Sequence, residues 1–259
     1  PLAEIDAAAL PRDRTGLDAE AFAELCQSIR ANGLRMPVEL FPLPGDRTRR
    51  YGLISGYRRY FACTDLTEAG ETGFDPIPAL IREGVDAAEA YRAMVEENAV
   101  RAPLSPWEAG HAIWQATLHG FHPSIEAATD ALYPGATRQK RARLRAIARL
   151  VEDLDGLLVL PERLTERQLR RLAAAWDDGY EAVIRAAVEA TARASFEKQW
   201  AALAPLLDEH AEERANPPRT PRRPGRPRRV LKARPGLTIR RERTRDGYIL
   251  RCSGPEATS

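Results

Sequence analysis

The chain has 259 residues, of which 44% are hydrophobic, which is enough for two or three domains with cores of their own. No apolar run reaches the length of a membrane-spanning helix and no signal-peptide pattern opens the sequence, so we expect a cytoplasmic protein with no membrane partner. Three cysteines and four histidines, scattered along the chain, indicate neither a disulfide framework nor a metal cluster.

The formal net charge of +2 hides an uneven distribution of charge. Residues 214–251 carry 14 Lys and Arg against two Asp and Glu, whereas residues 1–213 carry 25 basic and 34 acidic residues. A basic arm that follows an acidic body predicts affinity for a polyanion.

Residues 1–102 alternate helical and strand patterns, which is typical of a small α+β domain. An amphipathic helix is predicted at residues 18–32, and Gly33 can end it. The elements predicted after it are strand Val38–Phe41, strand Tyr51–Ser55, helix 57–69, strand Ile77–Arg82 and helix 86–98.

Residues 103–213 carry helical patterns throughout and form the second predicted domain. Ser105-Pro-Trp-Glu108 is a capping box with proline at the first helical position, so a helix begins there and runs to about His119. Further helices are predicted at 121–132, at 137–150, from Thr165 onwards and at 180–214.

Residues 214–236 are rich in proline and arginine and cannot build a core, which predicts a disordered linker. In residues 237–259, the runs Leu237–Arg243 and Tyr248–Cys252 flank Arg245-Asp246-Gly247, which is a β-hairpin signal. A lone hairpin is marginal in water, so this segment is a candidate dimerisation element.

A glycine and two arginines open a helix directly after the apolar strand that ends at Ser55. Gly56 leaves backbone N–H groups accessible at a positive helix end, and Arg58 and Arg59 add guanidinium forks, which is the chemistry of a phosphate site. The alternative is that both arginines are surface charge on an amphipathic helix.

A second polar segment, Glu97-Asn98-Ala-Val-Arg101, supplies a carboxylate, an amide and another arginine, which suits a metal-bridged phosphate. The alternative is a helix C-terminus, because Asn ends helices and Arg complements the helix dipole. Each motif is weak alone, but their conjunction and order favour a nucleotide site.

These motifs resemble the ParB family of partition proteins over residues 1–175. Residues 25–38 resemble the first box of that family, Gly56–Ala62 the arginine-rich second box, Ile77–Arg82 the following strand, and Glu97–Glu108 the third box with the entry to the central helical domain. The resemblance implies a ParB/sulfiredoxin-like domain that binds CTP and Mg²⁺, a helix-turn-helix domain that reads a centromere-like site in double-stranded DNA, and a homodimer that closes as a clamp on DNA.

The resemblance also implies residue roles, with Gly33 to Pro37 near the cytidine. The nucleotide-binding residues it implies are Gly33, Pro37, Ser55, Gly56, Arg58, Arg59, Asn98 and Arg101. The magnesium ion would face Glu97 and Asn98. Three positions depart from the family pattern: Tyr57 replaces a glutamate, Phe61 an arginine and Met36 a glutamine. Because positioning of a water needs polar groups, we expect nucleotide binding with weak or absent CTP hydrolysis.

A helix-turn-helix motif is predicted at residues 121–150, with Thr137 capping its second helix. The DNA-binding residues expected on that helix are Arg138, Gln139, Lys140, Arg141, Arg143 and Arg145. Its apolar face is expected to pack on the domain through Ala142, Leu144, Ile147 and Ala148. The alternative is a solvated basic helix.

The linker carries a second DNA signal that resembles an AT-hook, which is a Gly-Arg-Pro core flanked by basic residues. The residues concerned are Arg223, Gly225, Arg226, Pro227 and Arg228. Arginines of such a core enter the narrow minor groove of A·T-rich DNA. The alternative is a proline–arginine linker that matches by coincidence.

Together these features predict a ParB-like protein for plasmid or chromosome partition, associated with the nucleoid or a plasmid. The resemblance also implies a motor ATPase partner. Two other classes stay open: a transcriptional regulator on the same scaffold without nucleotide-driven sliding, and a metal-dependent nuclease, although only Glu96 and Glu97 offer carboxylates at the candidate site. A sulfiredoxin-type redox enzyme is disfavoured because Cys63 lies beyond the phosphate loop.

Overall fold

The computed structural model describes residues 1–12, 19–45, 48–101, 103–215, 230–234, 237–244 and 247–253. These residues form two compact units. The first unit contains residues 1–155 and 161–170, and the second contains residues 156–160 and the chain from Arg171 onwards. None of the described helices is both long enough and apolar enough to span a lipid bilayer.

The first unit opens with a four-stranded mixed sheet, whose strands are β1 (Ile5–Asp6), β2 (Val38–Pro42), β3 (Tyr51–Ser55) and β4 (Ala79–Ile81). The strand order is β1-β3-β2-β4. Strand β2 runs antiparallel to β3 and parallel to β4, and β1 runs parallel to β3. The short strand β1 was not predicted, because two residues are too few to show a periodic pattern.

Three helices complete the α+β part of this unit: α1 (Ala19–Asn32), α2 (Tyr57–Glu68) and α3 (Ala87–Arg101). Helix α1 packs on α2, and the buried residues they share include Ile29, Cys63 and Leu66. The α+β class is thus confirmed. Strand β4 is shorter than the predicted strand Ile77–Arg82, although the backbone N–H of Arg82 still donates to the carbonyl of Leu40, 2.8 Å away.

The helical part of the first unit begins with α4 (Pro106–Leu118), α5 (Ile125–Leu132) and α6 (Arg138–Leu154). The predicted capping box is confirmed, because the Ser105 hydroxyl accepts from the N–H of Glu108 while the Glu108 carboxylate accepts from the N–H of Ser105. The helix predicted to start at Phe121 starts later, because Ser124 caps α5. Thr137 caps α6 as expected.

One hydrophobic core crosses the predicted domain boundary at residues 102 and 103. Tyr91 and Met94 of α3 are buried in the same cluster as Ala112 and Ile113 of α4. The Tyr91 hydroxyl also donates a 3.0 Å hydrogen bond to the carbonyl of Ala112. The nucleotide-binding and DNA-binding segments predicted from the sequence therefore share one packed interior.

The close crossing of α4 and α6 depends on Gly110. A Cβ atom added there would lie 2.6 Å from Cγ2 of Ile147 and 3.2 Å from the backbone nitrogen of Ala148. We expect Gly110→Val to lower the free energy of unfolding by about 1–3 kcal/mol, because overpacking must separate the helices. Thermal unfolding measures this loss. The control is Gly135→Ala, where no described atom lies within 4 Å of the new Cβ, and an equal loss there would contradict the prediction.

Helix α7 (Glu166–Ala175) is followed by a π-type turn over Trp176–Tyr180, and then by α8 (Glu181–Ala190) and α9 (Phe196–Ala215). The single helical pattern predicted from 180 to 214 is therefore wrong in detail, because the chain leaves the helix between α8 and α9. Within the second unit, the buried amide of Gln199 accepts from the N–H of Val159 and donates to the carbonyl of Leu157.

The C-terminal part of the second unit is a three-stranded antiparallel sheet of β5 (Val230–Arg234), β6 (Leu237–Thr244) and β7 (Gly247–Ser253). Strands β6 and β7 form the predicted hairpin. The expectation of disorder throughout residues 214–236 is wrong for β5, because its Val230 and Leu231 follow the last arginines of the linker and supply a strand-forming run.

Candidate nucleotide site and DNA-binding helix

The turn from β3 into α2 requires glycine at position 56. Gly56 precedes the helix with φ of 95°, and a Cβ atom there would lie 2.8 Å from Cγ1 of Val38. No described side chain caps this helix start. The first backbone N–H groups of α2 are therefore presented at its positive end, which is the arrangement expected of a phosphate site.

Arg59 links this helix start to the loop that contains the first box. Its Nη1 donates to the carbonyl of Met36 at 2.9 Å and to the carbonyl of Pro37 at 2.6 Å. The structure therefore brings together the first-box loop and the second box, as predicted for residues of one site. It also shows that part of the Arg59 guanidinium is engaged with the backbone.

Arg58 has a different environment. The side chain is partly buried, and its Nε is a buried atom without a hydrogen-bond partner among the described residues. Leaving a buried charged donor unsatisfied is costly, so an anion at this position would offset that cost. The surroundings of Arg58 thus fit a phosphate group.

Arg12 joins α3 to the end of β3, and sequence reasoning missed it. Its Nη2 donates to the carbonyl of Leu53 at 2.6 Å and its Nη1 to the carbonyl of Ile54 at 3.0 Å. The same Nη1 lies 3.0 Å from Sδ of Met94. Asn98 lies one helical turn beyond Met94, so it shares the face of α3 that contacts Arg12.

Glu97 is exposed and Asn98 is partly buried on the last turn of α3. Arg101 ends α3, and its side chain lies outside the described part of the structure. Across the described residues, no group of three or more His, Cys, Asp or Glu side chains could hold a metal ion. A carboxylate and an amide oxygen nevertheless fit Mg²⁺ that takes further oxygens from a nucleotide's phosphates.

Two of the three residues that depart from the family pattern, Tyr57 and Phe61, form an aromatic wall beside this site. The rings of Tyr57 and Phe61 are 4.6 Å apart, and the Arg12 guanidinium lies 5.3 Å from the centre of the Tyr57 ring. These three residues line a cavity of about 430 Å³ together with Leu10 and Tyr60. Among the described residues that line this cavity, the charged side chains are the arginines Arg12 and Arg49.

Cys63 lies on the opposite, buried side of α2. Burial raises the pKa of its thiol, which disfavours the reactive thiolate. Among the described residues, the buried Cys63 thiol is therefore a structural part of the α1–α2 core.

The second helix of the helix-turn-helix exposes its first turn. Arg138, Gln139 and Lys140 are exposed, and Arg141 is partly buried. Ala142 is also exposed, so its prediction as a packing residue is wrong. Leu144, by contrast, is buried, so the packing face of α6 begins two residues later than the sequence pattern suggested.

Acidic residues of the protein form ion pairs with four arginines of α6. The ion pairs are Arg141–Asp130 at 3.6 Å, Arg145–Asp130 at 2.7 Å, Arg143–Glu166 at 2.8 Å and Arg149–Glu126 at 2.5 Å. A backbone N–H bond at Glu126 and its bond to Arg149 hold the pKa of the Glu126 carboxyl below its usual value. The expected base-reading set is therefore not uniform, because Arg141, Arg143 and Arg145 have acidic partners on the protein whereas Arg138 and Lys140 have none among the described ion pairs.

The AT-hook-like residues Arg223, Gly225, Arg226, Pro227 and Arg228 all lie outside the described residues.

The chain is similar to known proteins over part of its length. Residues 1–99 match the model of the ParB N-terminal domain. A probable chromosome-partitioning protein ParB of Pseudomonas putida is 33% identical over 145 residues, which are 56% of this chain and 46% of that protein. A nucleoid occlusion protein of Halalkalibacterium halodurans is 31% identical over 170 residues, which are 65% of this chain and 54% of that protein. The chain thus spans about half the length of these relatives.

Two solved structures of a C-terminally truncated chromosome-partitioning protein ParB from Caulobacter crescentus also match, each at 22% identity over 74% of this chain. The complex with CTP-gamma-S has a TM-score of 0.32 and is covered over 94% of its length. The complex with the centromeric parS site has a TM-score of 0.39 and is covered over 97% of its length. Residues 1–99 thus match the ParB N-terminal domain, and the chain is similar to chromosome-partitioning ParB and nucleoid occlusion proteins over about half of their length.

Proposed function

We propose that this chain is a DNA-segregation protein of the ParB type, which binds CTP with Mg²⁺ in its N-terminal domain and a specific double-stranded DNA site through α6. The observation that carries the proposal is the start of α2. There a glycine that tolerates no side chain precedes uncapped backbone N–H groups, and the Nε of Arg58 is buried with no hydrogen-bond partner among the described residues. That combination suits a polyphosphate better than it suits a surface helix.

Different residues of the site are proposed to contact different parts of the nucleotide. Ser55, Gly56 and Arg58 would hold the triphosphate, while Arg59 fixes the Met36–Pro37 loop against the same helix. Glu97 and Asn98 would supply oxygens to Mg²⁺, which neutralises charge on the phosphates when bound. Gly33 and Pro37 are proposed to approach the base, with Arg101 on a phosphate.

Binding is proposed to proceed with little hydrolysis. Tyr57 stands directly after Gly56, and its ring packs on Phe61 and under the Arg12 guanidinium. An aromatic pair held in this way supplies few polar groups to position a water for attack on a phosphate. The nucleotide would then act by favouring one conformation rather than through turnover.

DNA recognition is proposed to use the exposed first turn of α6, where Arg138, Gln139 and Lys140 have no acidic partner among the described ion pairs. Arg141 stands one residue further on. Arg and Gln make bidentate contacts with guanine and adenine in the major groove. The resemblance to ParB proteins adds four elements to the proposal: a homodimer, a clamp on DNA, association with the nucleoid or a plasmid, and a motor ATPase partner.

The deciding experiment is a calorimetric titration of the full chain with CTP, GTP, ATP and UTP in the presence of Mg²⁺. We expect saturable binding of CTP, preferred over the other three, and slow phosphate release when DNA is added. Binding of none of the four would contradict the nucleotide site. CTP binding without CTP-dependent trapping on closed DNA would instead favour a transcriptional regulator on the same scaffold.

The basic arm is proposed to add sequence-independent affinity for DNA. We expect that changing the arginines of residues 216–229 to glutamine lowers non-specific DNA affinity and flattens its dependence on salt, because fewer counterions are released. The variant spares β5, which begins at Val230. Fluorescence anisotropy at several salt concentrations measures both effects. An unchanged slope of log affinity against log salt would contradict a direct role for the arm.

A further inference from the structure

We propose that Asp130 is a positioning residue that holds Arg141 in the orientation needed to read a guanine. The inference rests on the proposed function, since it assigns a role within DNA recognition by α6. It also distinguishes Arg141 from the other paired arginines of that helix.

Asp130 lies on α5 and connects two arginines that lie four residues apart on α6. Its Oδ1 is 2.7 Å from Nη2 of Arg145 and 3.6 Å from Nε of Arg141. Residues four apart occupy the same face of a helix, so one carboxylate can reach both side chains. Asp130 is about half exposed, which leaves it at the edge of the surface that α6 presents.

Arg145 acts as the anchor of this group. Its side chain is 28% exposed and its Nε is buried, so the guanidinium has little freedom to turn outwards. A fixed Arg145 in turn fixes the carboxylate of Asp130 through a charge-assisted hydrogen bond. The carboxylate is therefore a rigid support rather than a mobile surface acid.

The mode of contact sets Arg141 apart from its neighbours. Glu166 and Glu126 approach the terminal nitrogens of their arginines, Nη1 of Arg143 and Nη2 of Arg149. Asp130 approaches Arg141 from the Nε side. Neither terminal nitrogen of Arg141 makes a hydrogen bond to a described residue, so both can donate together.

That geometry matches one base edge in the major groove. Guanine presents O6 and N7 side by side, and the commonest specific contact to them is a bidentate arginine. Holding the guanidinium at Nε reduces the rotamer freedom that binding would otherwise have to remove. We therefore assign Arg141, supported by Asp130, as a guanine-reading residue.

The test compares Asp130→Asn with Glu126→Gln in the full chain. The control removes the charge of another α5–α6 ion pair, which lies nearer the C-terminal end of α6. The probe is the tightest duplex that the wild-type protein selects from a randomised library, alongside an unrelated duplex. We expect Asp130→Asn to lose about tenfold in affinity for the selected duplex, with affinity for the unrelated duplex unchanged within about twofold. Glu126→Gln should leave both affinities near wild type.

A modified base gives a readout that a merely structural role would not move. Each guanine of the selected duplex is replaced in turn by 7-deazaguanine, which lacks N7. At one position this replacement should weaken binding of the wild-type protein. The affinity of Asp130→Asn, which is already lower, should not change at that position. Asp130→Glu, which keeps the carboxylate, should restore part of the loss.

Several outcomes overturn the inference. Equal losses on both duplexes, or a melting temperature far below that of Glu126→Gln, would make Asp130 a structural residue. Higher affinity for both duplexes would show that it only repels phosphates. An unchanged preference for the selected duplex overturns this inference alone, whereas a wild-type protein that selects no duplex overturns the proposed DNA recognition with it.

Discussion

Replacing Arg58 with alanine is expected to weaken binding of CTP in the presence of Mg²⁺ by about 10- to 150-fold. Hydrogen bonds to charged groups contribute about 1.5–3 kcal/mol each, and 1.4 kcal/mol corresponds to a factor of ten in affinity. The Nε of Arg58 is buried without a partner among the described residues, so the bound phosphate would satisfy it. Calorimetric titration measures the change directly.

The same substitution should leave the protein as stable as the wild type or more stable. Removing an unsatisfied buried donor relieves a cost in the unliganded protein, and residues kept for binding often reduce stability. Thermal unfolding without nucleotide checks this second expectation. If the melting temperature of Arg58→Ala fell so far that unfolding explained its weaker binding, Arg58 would be a residue that stabilises the fold rather than a phosphate ligand.

Two further variants separate the geometry of the guanidinium from its charge. Arg92→Ala removes an exposed positive charge from α3 and should change CTP affinity little. Arg58→Lys keeps the charge but loses the fork of donors, so it should fall between the wild type and Arg58→Ala. Equal weakening by Arg92→Ala and Arg58→Ala would contradict a specific phosphate contact.

Features governed by neighbouring residues could be predicted from the sequence. The capping box at Ser105 depends on residues three positions apart, and Gly56 follows a strand and precedes a helix within one short run. The β6–β7 hairpin is likewise set by its turn. In each case a local pattern carries enough information to determine the backbone.

Features governed by residues far apart in the chain could not be predicted from the sequence. Arg12 contacts Ile54 and Met94, which are 42 and 82 positions away, and no local pattern indicates such contacts. The ion pairs of Asp130 with α6 likewise depend on how two helices pack. The only sequence signal for Arg12 was its place in an arginine-bearing segment just after a short apolar run.

The face of α6 illustrates the limit within a single helix. Periodicity assigned both Ala142 and Leu144 to the packing face, but alanine is compatible with either side of a helix. Packing against Gly110 of α4 decides the matter, because it brings Ile147 and Ala148 close and turns Ala142 outwards. The outward face of α6 then carries Arg138 and Arg141, and the exposed Ala142 beside them is too small to obstruct a partner.

Arg141→Ala is expected to reduce affinity for the selected DNA site by about 5- to 150-fold, because a bidentate contact with a base contributes about 1–3 kcal/mol of discrimination. Affinity for unrelated DNA should fall by less than about threefold, since a residue that contacts a base edge adds little to sequence-independent binding. Anisotropy titrations with both duplexes give the two affinities and their ratio.

The salt dependence distinguishes a base contact from a phosphate contact. A phosphate contact contributes about 0.9 to the slope of log affinity against log salt, so losing one would flatten the slope by that amount for both duplexes. We expect Arg141→Ala to keep the wild-type slope. Arg143→Ala is the matched control, because Arg143 lies on the same helix but is held by Glu166 through a terminal nitrogen, and it should leave the specificity ratio unchanged. Equal losses on both duplexes with a flatter slope would instead assign Arg141 to the DNA backbone.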